Sequence, residues 1–135
     1  MRLLSQLKLP ADINNLREFV EFVSSCAEGQ GISPGRITEI GVATEEVLVN
    51  ICNYAYQDQV GDVKVSCILD DESRFIIEIE DAGIPFDVLS IGEPDLIDDI
   101  DERQVGGLGV FIIKELVEDV QYRREDNKNI LKLVI

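Results

Sequence analysis

Histidine is absent from the 135-residue chain. Its absence excludes a Ser-His-Asp triad, a zinc site built on imidazole and a phosphohistidine formed on the chain itself. Cysteine is scarce. Cys26, Cys52 and Cys67 are scattered, odd in number and without a Cys-x-x-Cys pair, so they read as small apolar residues of a reduced, cytosolic protein. Basic residues are also few: 12 Lys and Arg stand against 27 Asp and Glu, a formal net charge of −15. That balance is wrong for nucleic acid or an anionic membrane, both of which are gripped by Lys/Arg patches. Only a local basic edge remains, at Lys114, Arg123, Arg124, Lys128 and Lys132. No apolar run approaches the ~20 residues of a membrane helix, and residues 1–10 are too broken by polar side chains for a signal peptide. The expectation is a cytoplasmic protein with neither nucleic acid nor membrane as partner.

Apolar residues make up 45% of the chain, enough to pay the entropy of folding. The length predicts one domain over 1–135 with a real core. A leucine-rich run over 2–9, ended by Pro10, predicts an edge strand. Asp12 predicts a helix cap, followed by Ile13, Leu16, Phe19, Val20 and Val23 at helical spacing. Gly29-Gln30-Gly31 stops that helix, and Ser33-Pro34 starts another that runs to about Tyr56. On the second helix Ile37, Ile40, Thr44, Leu48, Ile51 and Ala55 share one side. Glu39, Glu46, Asn50, Asn53 and Gln57 share the other, where Val42 and Ala43 also fall. Apolar residues within a polar stripe predict that part of that stripe is covered.

Alternation over Val63–Leu69 and Phe75–Glu80, with a turn at Asp70–Ser73, predicts a hairpin. From Asp81 to Val105 periodicity disappears, over a length usual for a functional loop. Gly106-Gly107-Leu108-Gly109 then opens a helix through Val120, and two short strands follow around Val120–Arg124 and Ile130–Ile135. Grouped helices and hairpin-linked strands predict an α+β two-layer sandwich, with a mixed, mostly antiparallel sheet and helices on one face.

Three short motifs carry chemistry. Glu46 and Asn50 lie one helical turn apart, so a carboxylate and a carboxamide can hold a nucleophile and a divalent cation side by side. Asp81-Ala82-Gly83 ends a strand, where an Asp can accept from an exocyclic amine and a glycine lets a planar group approach the backbone. The glycines of 106–109 expose N–H groups at a helix start, which suits phosphate. The run is neither a P-loop nor a Rossmann fingerprint.

In this order the motifs resemble the GHKL superfamily of ATP-binding domains with the Bergerat fold, and within it the bacterial anti-sigma-factor serine/threonine kinases. The resemblance covers roughly residues 10–135. Glu46-Val47-Leu48-Val49-Asn50 is similar to the N box, residues 81–87 to the first glycine box and residues 102–109 to the second. Residues 119–124 and 129–133 are similar to the final strands. The resemblance implies a histidine-kinase-like ATPase fold and a kinase that phosphorylates an anti-sigma-factor antagonist on Ser/Thr and sequesters a sigma factor, commonly as a homodimer. It implies ATP and Mg2+ as cofactors. Glu46 would be the catalytic base and Asn50 the Mg2+ ligand, with Asn53 supporting phosphate or metal. Asp81 would accept from the adenine amine, with Gly83 beside the base. Residues 87–105 would be the ATP lid, Arg103 would reach a terminal phosphate, and Gly106, Gly107, Leu108 and Gly109 would meet the phosphates. Two features depart from the pattern: the lid is acidic from Glu93 to Glu102, and Asn127-Lys128-Asn129 replaces a Gly-x-Thr-like box. The alternative is a nucleotide-dependent interaction module without kinase activity.

Overall fold

A computed structural model describes residues 1–56, 61–87, 89 and 107–135. Its elements run β1 (Arg2–Pro10), a short 3-10 helix (Ile13–Asn15), α1 (Leu16–Gly29), α2 (Pro34–Tyr54), β2 (Asp62–Leu69), β3 (Phe75–Asp81), α3 (Gly107–Leu116), β4 (Asp119–Glu125) and β5 (Lys128–Val134). The strands form one sheet in the order β1-β2-β3-β5-β4, and every pairing in it is antiparallel. The chain leaves β3, returns at the edge as β4 and turns back to place β5 beside β3. That last hairpin turns on Asp126 and Asn127, at φ 52° and 63°. Asp and Asn tolerate this left-handed conformation, which matches the twist of a two-residue hairpin.

Strand alternation sorts the sheet into two faces. Val63, Val65 and Cys67 of β2, Phe75, Ile77 and Ile79 of β3, and Leu131 and Leu133 of β5 join one core. Phe19, Val23 and Ala27 of α1, Ile40, Val47, Leu48 and Ile51 of α2, and Val110 and Ile113 of α3 complete it. The opposite face carries a smaller apolar row, Ile68, Ile76 and Val134. Beside it run ion pairs such as Lys64–Glu80 at 3.1 Å and Arg123–Glu78 at 3.6 Å. Two of the five residues of the expected basic edge are thus matched by acids of β3, Arg123 by Glu78 and Lys128 by Glu80 at 4.0 Å.

Local signals explain the helix boundaries. The Asp12 side chain accepts from the Asn14 N–H at 2.9 Å and so caps the 3-10 turn, with α1 starting later at Leu16. Ser33 caps α2, with Pro34 at its first position. The helix α2 ends at Tyr54 rather than Tyr56, which leaves the Tyr56 side chain free to turn outward from the axis. Its hydroxyl accepts from the Ala82 N–H at 2.7 Å and donates to Asp62 O at 2.8 Å. The helix α3 stops at Leu116, short of the expected Val120. Glu118 N–H already bonds Val134 O at 2.8 Å, so the sheet takes over the backbone there.

Burial of α2 is wider than one amphipathic stripe. Besides Ile40, Thr44, Leu48 and Ile51, its buried set includes Ala43, Val47 and Asn50. The expectation of partial cover holds for Ala43, which is fully buried, and fails for Val42, which is 39% exposed. Both α1 and α3 pack on α2, and at Asn50 the neighbour is the start of α3, at Gly109.

Candidate functional site

A cleft opens between the second half of α2 and the strands β3, β5 and β4. Its walls are Val47, Asn50 and Ile51 from α2, Ile79 and Asp81 from β3, Phe86 beyond it, Tyr122 from β4, and Asn129 and Leu131 from β5. Register explains the gathering. Asp81 and Asn129 are cross-strand partners, and Ile79 and Leu131 form the next inward-facing pair. An inward position at a sheet end therefore carries two polar residues, while the rows behind it are apolar.

Asp81 is 4% exposed. Its Oδ1 accepts from the Gly83 N–H at 2.9 Å and from Asn129 Nδ2 at 2.9 Å. Among the described residues no donor reaches Oδ2. Burial raises the Asp81 carboxyl above its ordinary value, against the lowering effect of the Asn129 and Gly83 hydrogen bonds and the Arg124 charge. Gly83 lies hard against the end of α2: a Cβ placed there would sit 2.2 Å from Ala55 O. That closeness lets the Ile84 N–H bond Ala55 O at 3.0 Å, tying the turn after β3 to the helix that carries Glu46 and Asn50.

Asn50 is 5% exposed, and its Nδ2 has no hydrogen-bond partner. An unpaired buried amide is costly and calls for an explanation. Glu46 lies one turn earlier and half-buried. Burial first, then the Glu45 charge, raises its carboxyl above the ordinary value. The start of α3 meets both residues, since a Cβ on Gly109 would lie 2.9 Å from Glu46 Oε2 and 3.6 Å from Asn50 Nδ2. Glycine at 109 thus keeps open the space beside this pair.

The fold therefore brings together Glu46, Asn50 and Gly109; Asn50 shares a cleft with Asp81, whose Oδ1 accepts from the Gly83 N–H. Gly107 begins α3. Asn53 is exposed one turn beyond Asn50 and is not drawn into the cleft wall. Arg103, Gly106, the side chain of Leu108 and most of the expected lid lie outside the described residues. Sequence reasoning missed Asn129, Tyr122 and Phe86 as cleft residues. The available signal was alternation: Asn129, Leu131 and Leu133 share one face of β5, so Asn129 is a polar residue at an inward position.

The profile of the histidine kinase-like ATPase domain matches residues 9–135, and the chain belongs to that family. Membership of that family implies the use of ATP. Among named relatives, the chain is 25% identical over 130 residues to Serine-protein kinase RsbW of Bacillus thuringiensis (strain Al Hakam), covering 93% of this chain and 81% of that protein. The fold is similar to that in the SiaB–SiaC complex from Pseudomonas aeruginosa, with a TM-score of 0.69, 15% identity and coverage of 99% of this chain and 90% of that one. It is also similar to a structure of RsbU and RsbW domains from Mycobacterium tuberculosis, with a TM-score of 0.66, 16% identity and coverage of 96% of this chain. The chain spans only 32% of that longer protein. Among the described residues no helix is long and apolar enough to cross a membrane.

Proposed function

We propose that the chain binds Mg2+-ATP in this cleft and transfers the γ-phosphoryl group to a serine or threonine of a partner protein. The partner class is an antagonist of an anti-sigma factor. In this scheme the chain, as a homodimer in the cytoplasm, alternates between that antagonist and a sigma factor. One observation carries the reading: Glu46 and the Gly109 end of α3 meet at buried Asn50, and Asn50 shares a cleft with Asp81. The family match and the kinase named among its relatives support it.

The donor set suits Mg2+. Among the described residues no group of three or more His, Cys, Asp and Glu gathers to hold a metal. A single amide remains, Asn50, whose buried end lacks a partner and whose oxygen and nitrogen can exchange places by a flip. One protein oxygen is enough for Mg2+ when phosphate oxygens and water complete its shell. When bound, Mg2+ would neutralise charge on the β- and γ-phosphate oxygens.

The chain's own residues then have separate tasks. Asp81 accepts from the adenine amine, and Gly83 brings the backbone close to the base. The backbone N–H groups at the start of α3, from Gly107 to Gly109, face phosphate, with Gly106 and Arg103 preceding them. Asn53 stands at the outer end of the α2 polar stripe, toward metal or phosphate. Glu46 takes the proton from the attacking hydroxyl as the new O–P bond forms. The bond from the γ-phosphorus to the bridging oxygen breaks and ADP leaves. A raised proton affinity makes Glu46 a stronger base.

The test is incubation with radiolabelled Mg2+-ATP and a Ser/Thr-bearing antagonist captured from the source lysate. Wild type should yield phosphoprotein and Glu46→Ala should not. ATP binding without phosphoprotein in wild type would reassign the chain as a nucleotide-dependent interaction module. Full transfer by Glu46→Ala would remove the assigned base.

A further inference from the structure

Asn129 links several parts of the cleft wall. Its Nδ2 donates to Asp81 Oδ1 at 2.9 Å and to Ile84 O at 2.8 Å. Its Oδ1 accepts from Tyr122 Oη at 2.7 Å, from Arg124 Nη1 at 3.1 Å and from the Phe86 N–H at 3.2 Å. Arg124 also donates to Gly83 O at 3.0 Å. One buried amide thus links β5, β4, the end of β3 and the turn that follows it. Its orientation is determined. Exchanging Oδ1 and Nδ2 would set an NH2 group against the Arg124 and Phe86 donors and an oxygen against two acceptors.

That network leaves Asn129 no hydrogen-bonding capacity for a ligand, so its effect on one must pass through Asp81. Two donors, Gly83 N–H and Asn129 Nδ2, occupy Oδ1. The carboxylate plane is thereby held, and Oδ2 is the oxygen left for the cleft. We infer that Asn129 is the positioning residue that turns Asp81 Oδ2 toward the base and so selects a 6-amino purine over a 6-oxo purine. The inference rests on the reading of the cleft as a triphosphate site. A 6-amino group donates to a fixed carboxylate. A 6-oxo group sets oxygen against oxygen, and a rigid acceptor cannot turn away from it. Without the Asn129 donor, the buried carboxylate can rotate or take up a proton, and a protonated Asp81 donates to a 6-oxo group as readily as an ionised one accepts from an amine.

The test compares Asn129→Thr with Asn129→Val. The two side chains have nearly the same shape, suit a strand, and differ by one hydroxyl donor toward Asp81. Titration calorimetry with Mg2+-ATP and Mg2+-inosine triphosphate reads the preference, because the two ligands differ only in the base. Wild type should favour ATP by roughly 10- to 100-fold, the range of a hydrogen bond to a charged group. Asn129→Thr should keep a preference of at least tenfold, and Asn129→Val should fall to less than about threefold. A purely structural role for Asn129 would weaken both ligands in Asn129→Val by the same factor and preserve the ratio; that result overturns the inference. Equal preference in the Thr and Val variants overturns it as well. If wild type binds neither triphosphate, the underlying site reading fails and the inference falls with it. Circular dichroism checks folding, and Asn129→Ser against Asn129→Ala repeats the comparison if the Val variant unfolds.

Discussion

Replacing Asn50 by leucine asks whether its amide is kept for a ligand or for the fold. The side chain is 5% exposed and its Nδ2 is unpaired. An unsatisfied buried amide costs on the order of 1–3 kcal/mol. Leucine has the same branched shape at the γ position, and the cleft beside residue 50 offers apolar walls at Val47, Ile51 and Ile79. Its bulkier methyls return about 1 kcal/mol through crowding. The net is a stabilisation of about 1 kcal/mol, which for a chain of this length raises Tm by roughly 3–5 °C. With Mg2+-ATP the order reverses. Wild type gains about 2.7 kcal/mol at a ligand concentration of a hundred times Kd, whereas the variant lacks the metal ligand and gains little. Differential scanning calorimetry with and without Mg2+-ATP reads both effects. An Asn50→Leu protein that melts below wild type without nucleotide, or that keeps the full ATP shift, would refute the reasoning.

Gly83→Ala would put a Cβ 2.2 Å from Ala55 O. The turn must move and the Ile84–Ala55 hydrogen bond must stretch, so a loss of about 2–4 kcal/mol is expected in urea unfolding; a change below 1 kcal/mol would show that the turn is not pinned to α2. Burial raises the Asp81 carboxyl above its ordinary 3.8, so the folded state holds that proton more tightly than the unfolded chain. Its contribution to stability therefore grows as pH falls through the folded-state value toward 3.8 and is lost as pH rises through it. Asp81→Asn lacks this dependence, and without nucleotide its Tm relative to wild type should be more favourable at pH 7 than at pH 4. A constant difference across that range contradicts the assignment.

What could be read from the sequence follows from the range of the forces involved. Periodicity and capping are local, so α1, α2 and both hairpins were legible, as were Glu46 and Asn50 one turn apart and Asp81 at a strand end. The shorter end of α3 was not, because the Glu118 N–H is claimed by Val134 O of the adjacent strand β5, which comes later in the chain. The burial of Asn50 on α2 involves a helix that begins some fifty residues later, which no periodicity within α2 reveals. Asn129 was hidden for a related reason. Its importance depends on register with Asp81 across β3 and β5, while in the sequence it looks like the third residue of a polar turn. Glu46 and Asn50 were visible as a pair, but the unpaired Nδ2 and the approach of Gly109 required the fold.

Titration calorimetry of Mg2+-ATP into wild type and Asp81→Asn tests whether Asp81 recognises the base. Gly83 N–H and Asn129 Nδ2 both donate to one side of residue 81, so an asparagine there must keep its oxygen on that side and turn its NH2 toward the base. Donor would then meet donor, and a charged hydrogen bond would be replaced by a repulsion. The account predicts ATP binding by wild type and a loss of at least about tenfold in Asp81→Asn. Equal ATP affinity in the two proteins would contradict it.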